Sequence, residues 1–101
     1  LQQRINKQPL SPLYLADKTT LINIMEMVSG LFLSKDIVYQ NGKPAYLVDL
    51  AKAFEWLFNI RIGDCYQKHE DVIKRKPGKL TGFLNGLVEL IKKEHDKKGY
   101  R

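Results

Sequence analysis

The chain has 101 residues, 44% of them hydrophobic, and a formal net charge of +6. This length fits one small globular domain, and the absence of an apolar run near about 18 residues excludes a spanning helix. We expect no membrane partner. The positive charge favours an anionic partner such as nucleic acid. Because Cys65 is the single cysteine, an intrachain disulfide is excluded and a cytoplasmic setting is favoured.

Residues 1–17 are predicted to form an extended lead-in, because Pro9 and Pro12 disfavour a helix there. The predicted helical domain covers residues 18–98, and residues 99–101 form a short tail. Since the chain begins with Leu1 and not with Met, a fragment that lacks an N-terminal domain is one interpretation that stays open.

Two helices are predicted in the first half of the domain. The first covers 19–34, capped by Asp17 or Thr19, because apolar residues recur there at helical spacing. The β-prone run 37–39 and the turn Asn41-Gly42 support at most a small β element. A second helix over 46–58 is expected to end at Asn59.

Two further helices are predicted over 63–75 and 81–97. The fourth should turn one apolar face inward, formed by Leu80, Phe83, Leu84, Leu87, Leu90 and Ile91. The sequence therefore predicts an all-α domain of four helices. The short connection between the second and third helices is consistent with a helix-turn-helix, although such pairs are common in any helical protein.

A basic cluster separates the third and fourth helices, where Pro77 and Gly78 interrupt the helical pattern. It contains Lys74, Arg75, Lys76 and Lys79, and residues 61–101 as a whole hold 11 Lys and Arg against 6 Asp and Glu. Such a cluster is a candidate phosphate clamp, to which free backbone N–H groups at the start of the fourth helix, from about Thr81, would add. The alternative is a solvated loop whose charges only keep the protein soluble.

In the helix-turn-helix interpretation, the third helix enters the major groove of DNA. Gln67, Lys68 and Lys74 would then lie nearest the bases, since Gln pairs with adenine and Lys reaches guanine. Arg75, Lys76 and Lys79 would hold the phosphate backbone.

Four segments carry a family resemblance: 17–22 (DKTTLI), 53–60 (AFEWLFNI), 62–66 (IGDCY), and Arg75-Lys76 followed by 81–84 (TGFL). In this order they resemble the C-terminal region of RteC-like proteins, which are regulators on conjugative transposons of Bacteroides-type bacteria. The resemblance covers about residues 15–95. It implies a helix-turn-helix or winged-helix-like domain that binds double-stranded DNA and regulates transcription of excision or transfer functions. The chain departs from the family pattern at Leu80 and Gly82, where the family tends to have Arg and Lys.

Other interpretations remain open beside this one. His69 lies on the apolar stripe of the third helix and is therefore expected to be a core histidine. Cys65 and His69 could share a metal, but the sequence lacks the further ligands that a zinc site needs, so we expect no metal. Trp56 either packs on the lead-in or marks a partner surface. No catalytic or cofactor motif is present, so we expect no enzyme, cofactor or small-molecule substrate. The alternative function is a non-catalytic helical protein-interaction or oligomerisation module, including a homodimer.

Overall fold

The computed structural model describes residues 10–100. It contains four helices: α1 at Leu21–Ser34, α2 at Leu47–Phe58, α3 at Cys65–Ile73 and α4 at Gly82–Lys97. The predicted all-α fold is confirmed. Residues 1–9 of the predicted lead-in and residue 101 of the tail lie outside the described part of the chain.

The N-cap of α1 is Thr20, and the prediction of Asp17 or Thr19 is wrong. Asn23 explains the choice, because it stands three positions after Thr20. The hydroxyl of Thr20 accepts the Asn23 N–H at 3.3 Å, while the Asn23 side chain accepts the Thr20 N–H at 3.1 Å. This reciprocal capping box satisfies two backbone donors at once.

Asn59 ends α2 as predicted. It adopts the left-handed conformation, with φ of 54°, which Asn tolerates better than most residues. Its side-chain amide donates to the carbonyl oxygens of Ser11 at 2.7 Å and Leu13 at 2.9 Å. One residue therefore ends the helix and fastens the incoming segment to it.

The segment between α1 and α2 folds back on itself in a narrow turn. Val38 and Pro44 form one isolated antiparallel bridge, Gly42 takes a φ of 87° at the tip, and no β-strand occurs within residues 10–100. The Tyr39 hydroxyl donates to the carboxylate of Asp49 in the first turn of α2 and accepts the Tyr46 N–H. The predicted small β element is thus present in its minimal form.

Helix α1 is the centre of the fold. It contacts the other three helices, α2 and α3 pack on each other, and α4 packs on α1. Met25 and Val28 of α1 are fully buried, among a core that also contains Ile24, Leu47, Leu50, Ala51, Ile62, Cys65 and Val72. Because α3 and α4 both rest on α1, this helix determines the position of the basic connection between them.

The prediction that Leu90 and Ile91 face inward is wrong. Leu90 is 63% exposed and Ile91 72% exposed, and α4 has no fully buried residue. Helix α4 meets α1 through its first turns, where Leu84 lies 4.0 Å from the position of a Cβ on Gly30. Periodicity indicates which face of a helix is apolar, but not how far along that face the neighbouring helix extends.

None of the helices in the described residues combines the length and the apolar composition needed to cross a membrane.

Candidate nucleic-acid interface

The predicted basic cluster forms a compact corner between α3 and α4, which we call the basic corner and define as residues 74–81. Successive turns hold its backbone, with the Lys79 N–H donating to the Lys76 carbonyl at 2.8 Å and the Leu80 N–H to the Pro77 carbonyl at 3.4 Å. The Gly82 N–H donates to the Lys79 carbonyl at 3.4 Å and leads directly into α4. The lysines of the corner are therefore carried on an ordered turn.

A buried carboxylate on α1 anchors this corner. The Glu26 side chain is 1% exposed, and its Oε2 accepts a hydrogen bond from Nη1 of Arg75 at 3.0 Å. The same carboxylate accepts the backbone N–H groups of Phe83 at 3.3 Å and Leu84 at 3.1 Å. A buried charge is tolerated when it is paired and its remaining acceptor sites are hydrogen-bonded, and both conditions are met here. Glu26 thus fixes both ends of the corner to α1.

The expectation of free N–H groups at the start of α4 is wrong for Phe83 and Leu84, because Glu26 occupies both of them. Thr81 is the N-cap residue, but its side chain makes no capping hydrogen bond. Glu26, more than fifty positions earlier in the chain, supplies the cap of α4 instead. The signal in the sequence was the single carboxylate of α1, which stands between Met25 and Met27 in an otherwise apolar and neutral helix.

The four predicted phosphate contacts of the corner differ in exposure and in partners. Arg75 is 24% exposed and its charge is compensated by Glu26. Lys74 is 68% exposed and lies 3.7 Å from Asp71, a surface pair of small energetic value. Lys76 and Lys79 are exposed. The outward positive charge of the corner therefore comes from its three lysines, while the arginine is turned to the interior.

Of the residues predicted to read bases, Gln67 and Lys68 lie on α3, and Lys74 is the first residue of the corner. Gln67 is exposed and donates from Nε2 to Oδ1 of Asp71 at 2.9 Å. Lys68 is half-buried, and its ammonium reaches back to the Ile62 carbonyl at 3.4 Å. Asp64 caps the helix by accepting the backbone N–H of Gln67 at 3.1 Å. The structure brings Gln67 and Lys74 onto accessible surface, whereas Lys68 faces the turn before α3.

That turn joins α2 to α3 through residues 59–64, which is longer than the usual three or four residues of a helix-turn-helix. Glu55 stabilises it, because its Oε2 accepts the Ile62 N–H at 2.6 Å and its carbonyl accepts the Ile60 N–H at 3.1 Å. The two helices pack on each other. The helix-turn-helix arrangement itself stays a prediction.

The sequence also singled out His69 and Cys65, which lie on α3, and Trp56, which lies on α2. His69 is half-buried and has partners: its Nδ1 lies 2.7 Å from the hydroxyl of buried Ser29, and its ring meets Phe32 edge-on. Cys65 is buried, and burial raises the pKa of its thiol. No group of three or more potential metal ligands is gathered within residues 10–100. Trp56, on α2, is 47% exposed.

Comparisons with known proteins give one family and one curated relative. The family model described as RteC protein matches residues 3–98. A segment of Exportin-T from Chaetomium globosum is 34% identical over an alignment of 87 residues that covers 80% of this chain. The chain spans only 8% of the length of that protein. No solved structure matches.

Proposed function

Because the chain belongs to the RteC family, we propose that it is a DNA-binding transcriptional regulator of the excision or transfer functions of a conjugative transposon. The family resemblance supplies the biological setting of this proposal. The chemistry is supplied by the net charge of +6 and by the basic corner. In this proposal the partner is double-stranded DNA, and the protein acts in the cytoplasm without catalysis or cofactor.

The observation that carries the proposal is the attachment of the basic corner to α1 through Glu26. Phosphate contacts orient a protein on DNA, and they do so best when the charges are held by a rigid scaffold. The hydrogen bonds of Glu26 to Arg75 and to the first turn of α4 provide that scaffold. Lys74, Lys76 and Lys79 are then exposed on a fixed turn.

Each residue of the site has a distinct role in the proposal. Lys76 and Lys79 contact phosphates, and Thr81 lies at the end of that contact surface. Arg75 positions the corner through its ion pair with Glu26. On α3, the Gln67 side chain gives up its hydrogen bond to Asp71 and bonds instead to a base edge in the major groove. Lys68 and Lys74 follow it with further positive charge, and Lys74 also neutralises a phosphate.

Fluorescence anisotropy with duplex DNA across a salt series tests the proposal. If Lys74, Lys76 and Lys79 each neutralise one phosphate, log K should fall against log salt with a slope of roughly −3. A regulator should also prefer some duplex sequences over others at constant salt. No binding at low salt would contradict the proposal, and equal affinity for every duplex would contradict its regulatory part.

A second function, a helical interaction module, is favoured by a different observation. The outer half of α4 exposes Val88, Leu90 and Ile91 to solvent at 45%, 63% and 72%. These residues lie outside the basic corner, so the two functions use separate surfaces of the domain.

A further inference from the structure

The chain contains two Asn-Gly pairs, and the fold places them in different backbone settings. Asn41-Gly42 lies in the narrow turn between α1 and α2, whereas Asn85-Gly86 lies inside α4. Asparagine is a chemically labile residue, and a following glycine has no Cβ to shield its nitrogen from the asparagine side chain. Asn41 and Asn85 are both exposed. A difference in their reactivity must therefore come from the backbone and not from access of water.

The backbone around Asn41 is held by few contacts. The Gly42 N–H donates to the Tyr39 carbonyl at 2.8 Å across the turn. Apart from its chain neighbours, no atom lies within 4 Å of the position that a Cβ on Gly42 would occupy. Residues 40–44 are all exposed. Local opening is easy where few contacts hold the backbone, so the Gly42 nitrogen can be released without unfolding the domain.

The Asn41 side chain is folded back along the turn. Its Oδ1 accepts the Lys43 N–H at 2.9 Å, which keeps the side-chain amide close to the peptide that follows it. Oδ1 is also the oxygen that gains negative charge when a nucleophile adds to Cγ of Asn41. An N–H donor aimed at such an oxygen stabilises the charge as it develops.

Asn85 is held in a regular helix. Its N–H donates to the Thr81 carbonyl at 2.8 Å, and the Gly86 N–H continues the same pattern of bonds to the carbonyl four residues earlier. The first turn of α4 is also anchored to α1, because Glu26 accepts two of its N–H groups. To free the Gly86 nitrogen, this anchored end of α4 must open.

We propose that Asn41 is a site of non-enzymatic modification, at which reaction with the Gly42 nitrogen removes the side-chain amide, while Asn85 is spared. Base takes the proton of the Gly42 N–H, and the nitrogen forms a bond to Cγ of Asn41. The bond from Cγ to Nδ2 then breaks, and Nδ2 leaves as ammonia with a proton from water. Water opens the resulting succinimide ring at either carbonyl, which gives aspartate or isoaspartate. In sum, one water is consumed and one ammonia is released, without an oxidant or a reductant.

The product changes the turn in two ways. The new carboxylate lowers the net positive charge of the chain by one unit. Isoaspartate also lengthens the main chain by one carbon, inside the turn that the Tyr39 N–H closes by donating to the Lys43 carbonyl at 2.9 Å. The proposal does not depend on DNA binding, because the reaction involves neither the basic corner nor α3.

Peptide mapping by mass spectrometry tests the proposal on the full chain, aged in mildly alkaline buffer. Trypsin separates the two pairs, because peptide 36–52 contains Asn41 and peptide 80–92 contains Asn85. The first peptide should gain one mass unit at least about tenfold faster than the second, since only the second requires the helix to open. Labelling by an isoaspartyl methyltransferase should identify isoaspartate in the first peptide. The rate should rise with pH, because the reacting nitrogen must lose its proton.

The same measurement in urea is the matched control. Both pairs have the same sequence, so they should react at similar rates once the fold is lost. Asn41→Gln should remove the fast modification, because its longer side chain forms the ring less readily, while Asn85→Gln should leave the rate at Asn41 unchanged. Equal rates at the two sites in native buffer would overturn the proposal. An Asn41 that reacts in urea but stays intact in the folded chain would also overturn it, since the turn would then protect it.

Discussion

Nη1 of Arg75 lies 3.0 Å from Oε2 of Glu26, a carboxylate whose side chain is 1% exposed. Forty-nine positions separate the two residues in the sequence. The arginine that seemed from the sequence to be one of several phosphate contacts is therefore the partner of the main buried charge of α1. Arg75 therefore holds the basic corner in position. It affects the surface offered to DNA only through that position.

Arg75→Met should destabilise the fold by about 3 kcal/mol, because it leaves the Glu26 carboxylate buried without its cationic partner. Lys74→Met is the matched control, since Lys74 makes only a surface pair with Asp71, and it should change stability by less than about 1 kcal/mol. Urea unfolding followed by circular dichroism measures both. Equal midpoints for the two variants would show that the buried pair does not stabilise the corner.

Two glycines should respond in opposite ways to the same substitution. Gly86→Ala should stabilise the chain by about 0.5–1 kcal/mol, because α4 gains helix propensity and the new Cβ meets open space. Gly42→Ala should destabilise it by about 1 kcal/mol, because the turn needs a φ of 87°. Thermal unfolding followed by circular dichroism compares them. The account of the turn fails if Gly42→Ala is as stable as the wild type.

The thiol of Cys65 should react slowly with Ellman's reagent in the folded chain. Burial raises its pKa above the ordinary value, so the fraction of reactive thiolate at neutral pH is lower than in a free cysteine. Because the thiolate fraction grows with pH, the rate should rise as the pH increases, and urea should abolish the protection. Reaction at the rate of a free thiol in native buffer would show that Cys65 is accessible.

Much of the fold could be predicted from the sequence, because its signals are local. The apolar spacing of Leu21, Met25 and Val28 predicted α1, and Asn59 predicted the end of α2. The break at Pro77-Gly78 predicted the corner between α3 and α4. Each of these depends on residues within a few positions of one another, where propensity and periodicity act.

The parts that were missed depend on contacts between distant segments. The bond from Asn59 to the backbone of Ser11 has no local signature. The lone carboxylate of Glu26 marks an unusual residue in α1, but its partners in α4 are brought to it only by the packing around α1. The exposure of Leu90 and Ile91 likewise follows from how α4 meets α1. Side-chain roles at the candidate site were therefore harder to predict than the helices that carry them.

The basic corner as a DNA-binding surface is the central claim, and charge removal at the corner tests it most directly. The measurement is the salt dependence of duplex-DNA affinity for a Lys76→Gln/Lys79→Gln variant, beside a Lys43→Gln/Lys52→Gln variant that loses the same charge at exposed positions outside the corner. The account predicts that the first variant loses affinity for all duplexes and that its slope of log K against log salt becomes shallower by about 2, while the second keeps the wild-type slope. Equal losses in the two variants would contradict it, because binding would then follow net charge and not the corner.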